Sequence, residues 1–183
     1  MTVQHEIKSQ LAKLLATEDL IVEHKHVETA SFNVHDRVLT LPCWEKASSL
    51  VYDMLVGHEV GHALFTPDEE WWVDHQISPG IVNVVEDARI EKLMKRKYAG
   101  LPKTFFTGYK ELQGMDFFKL SGIDVNEMGI ADRLNLYFKI GNFIDIDFND
   151  YEKTLVSMVK SAESFDDVLE YSKVIWEYAK EEL

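Results

Sequence analysis

The sequence predicts an α+β fold: a mostly helical core with a small antiparallel sheet set before one long helix, followed by a helical remainder. Three observations lead there. Apolar residues recur at helical spacing through most of the chain. A region ahead of Pro42 instead alternates apolar and polar residues, as strands do. The order runs helix, sheet, two long helices, then helices only, without the strand–helix alternation that builds a parallel sheet.

Each element follows in turn. Ile7, Leu11, Leu14 and Leu15 form an apolar stripe, so residues 4–16 read as an amphipathic helix. Residues 20–27, 29–34 and 37–41 read as strands, with His35-Asp36 as a turn and Pro42 ending the sheet. From about Lys46 to Leu64, the residues Leu50, Val51, Met54, Leu55 and Val60 fit a mostly buried helix, stopped by Thr66-Pro67-Asp68. Residues 68–79 form a loop carrying Trp71-Trp72, which reads as a lid or interface anchor. Ile81, Val84, Val85, Ala88, Ile90 and Leu93 line a second long helix, closed by Gly100 and Pro102. Helical segments follow at about 103–120, 129–141, 150–162 and 165–182, with Gly122, Gly129 and Gly141 between them. The organisation expected is a core over 1–102 and a helical subdomain over 103–183. The helical run reaches Leu183 without a cap, which reads as a piece of a longer chain.

Composition narrows the function classes. In 183 residues, 46% are hydrophobic, enough for a real core. The single cysteine, Cys43, excludes an internal disulfide framework and a cysteine-rich zinc knuckle, and reads as a packed thiol. The formal charge of −13 opposes nucleic-acid phosphates. The one basic run, Lys92 to Lys97, reads as a solvated helix face. No signal peptide opens the chain, and no apolar run approaches the ~20 residues of a membrane span. A soluble protein of the cytoplasm is expected, with no membrane or nucleic-acid partner.

The chemistry resides in Gly57-His58-Glu59-Val60-Gly61-His62, an HExxH motif inside the first long helix. Histidines four apart lie one turn apart on one helical face, so both imidazoles can converge on one Zn²⁺. Glu59, next to the first histidine, can take a proton from a metal-bound water, whose pKa lies near ~7. Glu59 is therefore the expected general base. Gly61 between the ligands gives room for another backbone to approach. A catalytic zinc usually keeps three protein ligands and an open position. Phe65 and Asp68 stand where a third histidine would continue the HExxHxxGxxH pattern, so that pattern is absent. Glu86 and Asp87 lie 24 and 25 residues after His62, a spacing that allows a loop and an antiparallel return. Glu86 is the expected third ligand, with Asp87 and the loop residue His75 as alternatives. Asp87 and Glu91 share a face and can otherwise hydrogen-bond to the ligand histidines. An acid four residues after the ligand glutamate, found in some zincins, is missing for Glu86, where Ile90 stands. Tyr98, Tyr109 and His75 are the available groups for an oxyanion. Co²⁺, Mn²⁺ or Ni²⁺ would suit the same ligands. The strand over Arg37 to Leu41 reads either as an ordinary strand or as an edge on which an extended peptide adds.

Three stretches together resemble one family: Arg37-Val38-Leu39-Thr40-Leu41-Pro42, then HExGHxLFT over 58–66, then EDxRIE over 86–91. They are similar to the N-terminal region of the von Willebrand-domain subunit of aerobic cobaltochelatase and its bacteriophage relatives, often labelled peptidases. The resemblance covers roughly residues 30–100 and includes the minimal gluzincin core. It implies zinc held by His58, His62 and Glu86, with Glu59 as base. It also implies hydrolysis of a protein or peptide substrate, and the cytoplasm of a phage-infected bacterium as a setting. The metal-adhesion pattern DxSxS of a von Willebrand domain is absent. Such relatives also act inside chelatase or ATPase assemblies, so a non-proteolytic metal-binding module of a larger assembly is the alternative.

Overall fold

A computed structural model describes residues 5–45, 47–74 and 76–182. His75 and the N-terminal residue of the helix expected from Lys46 lie outside that range. Among the described residues the chain forms seven α-helices and three strands, an α+β architecture that is mostly helical. None of these helices is long and apolar enough to cross a membrane. Contacts divide the chain into two units, Met1–Asp68 with Ile90–Leu112, and Glu69–Arg89 with Gln113–Leu183. The division therefore runs through a helix and after Leu112, where the sequence reading put one boundary at residue 102.

The first unit opens with α1 (His5–Ala16), followed by β1 (Ile21–Lys25), β2 (Ser31–Asn33) and β3 (Val38–Pro42). The sheet is mixed, in the order β1-β3-β2. β1 runs parallel to β3, with Val22 opposite Leu39, and β2 is antiparallel to it, with Phe32 opposite Leu39. An all-antiparallel sheet was expected, and the physical reason for the difference is burial. β3 carries Leu39 and Leu41, both with no exposed surface, and the centre of the sheet is where such a strand is covered on both sides. β1 and β2 carry Glu23, His24, Lys25, Ser31 and Asn33 and take the edges. With both its edges paired, β3 cannot accept an added strand, so the peptide-binding role considered for it is corrected. Arg37 forms the tight corner into β3 with φ of 59°. Its side chain fastens that corner, donating to Glu18 at 2.6 and 3.1 Å and to the Ala63 carbonyl at 2.7 Å.

The helix α2 (Ser49–Phe65) starts at Ser48, whose hydroxyl accepts from Val51 N, and stops at Thr66, before Pro67. It is buried on nearly every side, which fits its place in the middle of the unit. α1 is tied to it by Lys8, which donates to Ser49 Oγ at 2.7 Å and Asp53 Oδ1 at 2.5 Å. α3 (Pro79–Lys97) begins two residues before the expected Ile81, because Ser78 bonds the first turn and proline suits the first helical position. Its last turns, from Ile90, and α4 (Leu101–Gly114) as far as Leu112 complete this unit.

In the second unit, the first turns of α3 supply Ile81, Val82 and Val85 to a core. The rest comes from α5 (Ile130–Ile140), α6 (Asp150–Ser161) and α7 (Phe165–Glu181), through Leu134, Leu155, Val159, Val168 and Ile175. Trp71 packs against that core, whereas Trp72 is exposed. Capping boxes start α6 (Asn149 with Glu152) and α7 (Ser164 with Asp167).

Candidate metal centre

His58 and His62 stand one turn apart on α2 with ring centroids 5.1 Å apart and ring planes at 69°. Each ring is oriented through the same nitrogen. His58 Nδ1 lies 2.6 Å from Glu91 Oε2, and His62 Nδ1 lies 2.9 Å from Thr66 Oγ1. With Nδ1 engaged as a donor, each imidazole would bind a cation through Nε2, the arrangement in which an outer partner fixes tautomer and ring plane. The Glu91 carboxylate is almost wholly buried, and the His58 side chain is only 12% exposed. Groups this polar persist in a buried helix only when such partners meet them.

Helical geometry carries the same alignment up α3. Gly61 lies between the two histidines, and a Cβ there would come within 2.8 Å of Ile90 Cδ1 and 3.0 Å of Met94 Cγ. The missing side chain thus lets α3 pack closely on α2, with the side chains of Ile90 and Met94, rather than the expected backbone, filling the room at Gly61. Asp87 precedes Glu91 by four residues and so shares its helical face. The ligand atoms of His58, His62 and Asp87 all lie within 4.8 Å of one another. Two imidazoles and a carboxylate are donors of the kind that hold zinc and other divalent ions, so the group could hold a metal ion.

Glu86 does not join this group. It is buried and accepts two hydrogen bonds from Arg89, at 2.5 Å from Nε and 2.8 Å from Nη2. Arg89 also donates to the Glu163 carbonyl at 3.1 Å. One residue is a rotation of about 100° on a helix, so neighbouring acids face different surroundings. Glu59 is buried at 7% exposure. Tyr98 donates its hydroxyl to the Leu15 carbonyl at 2.5 Å, and Tyr109 donates its hydroxyl to Glu91. Cys43 is half-buried and outside the donor group.

Two participants were not anticipated. Thr66 stands four residues after His62, a spacing that could have identified it. Lys139 donates to Asp87 Oδ2 at 3.1 Å from 52 residues away, and no local pattern signals that contact. Comparison of the chain with protein-family models, curated proteins and solved structures found no match.

Proposed function

We propose that the chain is a zinc-dependent metallopeptidase of gluzincin type, hydrolysing peptide bonds of a protein in the cytoplasm. The observation that carries the reading is the convergence of His58, His62 and Asp87 donor atoms, with both Nδ1 atoms already held. These three residues would hold the zinc, Asp87 taking the place first expected for Glu86. With Asp87 as ligand, the acid four residues on is Glu91, which supplies the pattern missing for Glu86. The motif resemblance to the cobaltochelatase subunit and its phage relatives supports the same assignment. Bound zinc supplies Lewis-acid activation of water and of the substrate carbonyl. Glu59 is the general base: it takes the proton of the attacking water and passes it to the departing amine.

Cleavage of an unfolded protein substrate by zinc-replete protein tests this. Activity is expected to vanish with a chelator and in Glu59→Gln, while that variant keeps stoichiometric zinc. Loss of zinc from Glu59→Gln contradicts the base role. Absence of cleavage across broad peptide libraries contradicts the peptidase.

A second reading is a non-proteolytic metal-binding module of a larger chelatase, ATPase or phage assembly, joined to further domains. The burial of Glu59 and the Lys139–Asp87 ion pair favour it, since both restrict water and substrate at the donors. Under that reading zinc binds and no peptide is cut.

A further inference from the structure

The Glu91 oxygen that meets His58 receives a second donor. Tyr109, on α4, donates its hydroxyl to Glu91 Oε2, the same atom that lies 2.6 Å from His58 Nδ1. Three helices thus contribute one member each to a chain that ends at a ligand: Tyr109 from α4, Glu91 from α3 and His58 from α2. We infer that Tyr109 is a positioning residue for the metal centre, setting the His58 imidazole by fixing the Glu91 carboxylate. This rests on the reading of His58, His62 and Asp87 as the metal's ligands.

The physical argument is one of restraint. A glutamate side chain turns about three bonds, and its terminal torsion is broad. One imidazole contact leaves the carboxylate plane able to swing, and the ring would swing with it. A second donor arriving at the same oxygen from another helix removes that freedom. Tyr109 is itself held. It is 6% exposed, stacks on Phe105 with centroids 6.3 Å apart, and follows Gly108. A Cβ at Gly108 would sit 2.5 Å from Met54 Cβ, so α4 touches α2 with backbone at that point. The tyrosine therefore starts from a fixed position one residue away from that contact. Its hydroxyl donates to the same carboxyl oxygen that His58 meets. Tyr98 provides the contrast within the same unit, since its hydroxyl ends on the Leu15 carbonyl and reaches no ligand.

Two readouts test the inference without an activity assay: zinc affinity by competition with a chromophoric chelator, and the visible bands of the cobalt(II)-loaded protein. Tyr109→Phe is expected to weaken zinc binding about tenfold, the low end for outer-shell partners, and to shift the cobalt bands. Tyr98→Phe should change neither. Glu91→Ala should weaken binding as well, and adding Tyr109→Phe to it should cost nothing further, because the hydroxyl acts through the side chain thus removed. A folded Tyr109→Phe within about twofold of wild-type affinity, with unmoved bands, overturns the positioning role and leaves the centre standing. Wild-type protein that binds no zinc overturns the centre, and the positioning role falls with it. If Tyr109→Phe does not fold, Glu91→Asp, which withdraws the carboxylate from both partners, carries the same test. Unchanged affinity there overturns the relay.

Discussion

Glu91 in the first unit and Glu152 in the second are both buried, and both accept a tyrosine hydroxyl, from Tyr109 and Tyr178 respectively. They differ in the partner that completes them. Glu152 faces the fork of Arg133, at 3.0 Å from Nη1 and 2.5 Å from Nη2, and also accepts the Asn149 N–H at 2.9 Å. The remaining Arg133 donors go to the Met128 and Asp147 carbonyls and to Glu182. A guanidinium has only donors and keeps its charge, so that network closes on itself and acts as a lock between α5, α6 and α7. Glu91 instead meets an imidazole, which carries a second nitrogen with opposite capability. The same carboxylate and hydroxyl therefore build a fastening in one unit and meet an imidazole in the other. The residue at the end of the chain decides which.

The comparison breaks most visibly at Arg133. Arg133→Ala leaves Glu152 buried without its counter-charge, and a loss of about 3–5 kcal/mol is expected in denaturant unfolding, with zinc affinity unmoved. Acid reaches the same network more gradually. The Arg133 hydrogen bonds, helped by Asn149 and Tyr178, hold the Glu152 carboxyl at about 2, against an ordinary 4.5 and against the opposing effect of burial. A lowered folded pKa gives stability that is complete above 4.5 and is lost as pH falls from there toward about 2. Unfolding followed by circular dichroism should show that loss in the wild type and a shallower acid slope in Arg133→Ala. On the other side, Gly61→Ala would place a methyl 2.8 Å from Ile90 Cδ1. Overpacking of about 1–3 kcal/mol, offset by about 1 kcal/mol of helix propensity, leaves a small stability change. Zinc affinity should fall by more than that change accounts for, because α3 is displaced from both histidines. Calorimetry of zinc binding checks it, and unaltered affinity would separate the glycine contact from the site.

How much was legible in the sequence follows from which forces are local. The long helices appear in the spacing of Val51, Met54, Leu55 and Val60, and of Ile81, Val85 and Ile90, because amphipathic period and caps are local properties. Strand order is not local. The alternation in β2 and β3 and the Leu20-Ile21-Val22 run at the start of β1 marked the strands, while the insertion of β3 between the other two depends on which strand most needs cover. The histidine pair was legible because four residues on a helix is one turn. The choice between Glu86 and Asp87 was not, because spacing from His62 cannot fix which face of α3 meets α2. That phase is set by the contacts of Gly61 with Ile90 and Met94. The pair Asp87 and Glu91 was readable as one face, though only the structure shows Glu91 on His58 Nδ1. The reach of Lys139 to Asp87 and of Arg89 to the Glu163 carbonyl spans 52 and 74 residues of chain, and no motif marks either contact.

The most direct measurement is zinc stoichiometry, with X-ray absorption of the bound metal, across wild type, Asp87→Asn and Glu86→Gln. One zinc per chain is expected in the wild type, coordinated by two imidazoles and a carboxylate oxygen. Asp87→Asn should weaken it beyond the roughly 10–100-fold of an outer-shell change. Glu86→Gln should keep it, while losing stability because the ion pair with Arg89 is broken. Zinc retained at full affinity in Asp87→Asn, or no zinc bound by the wild type, would contradict the account.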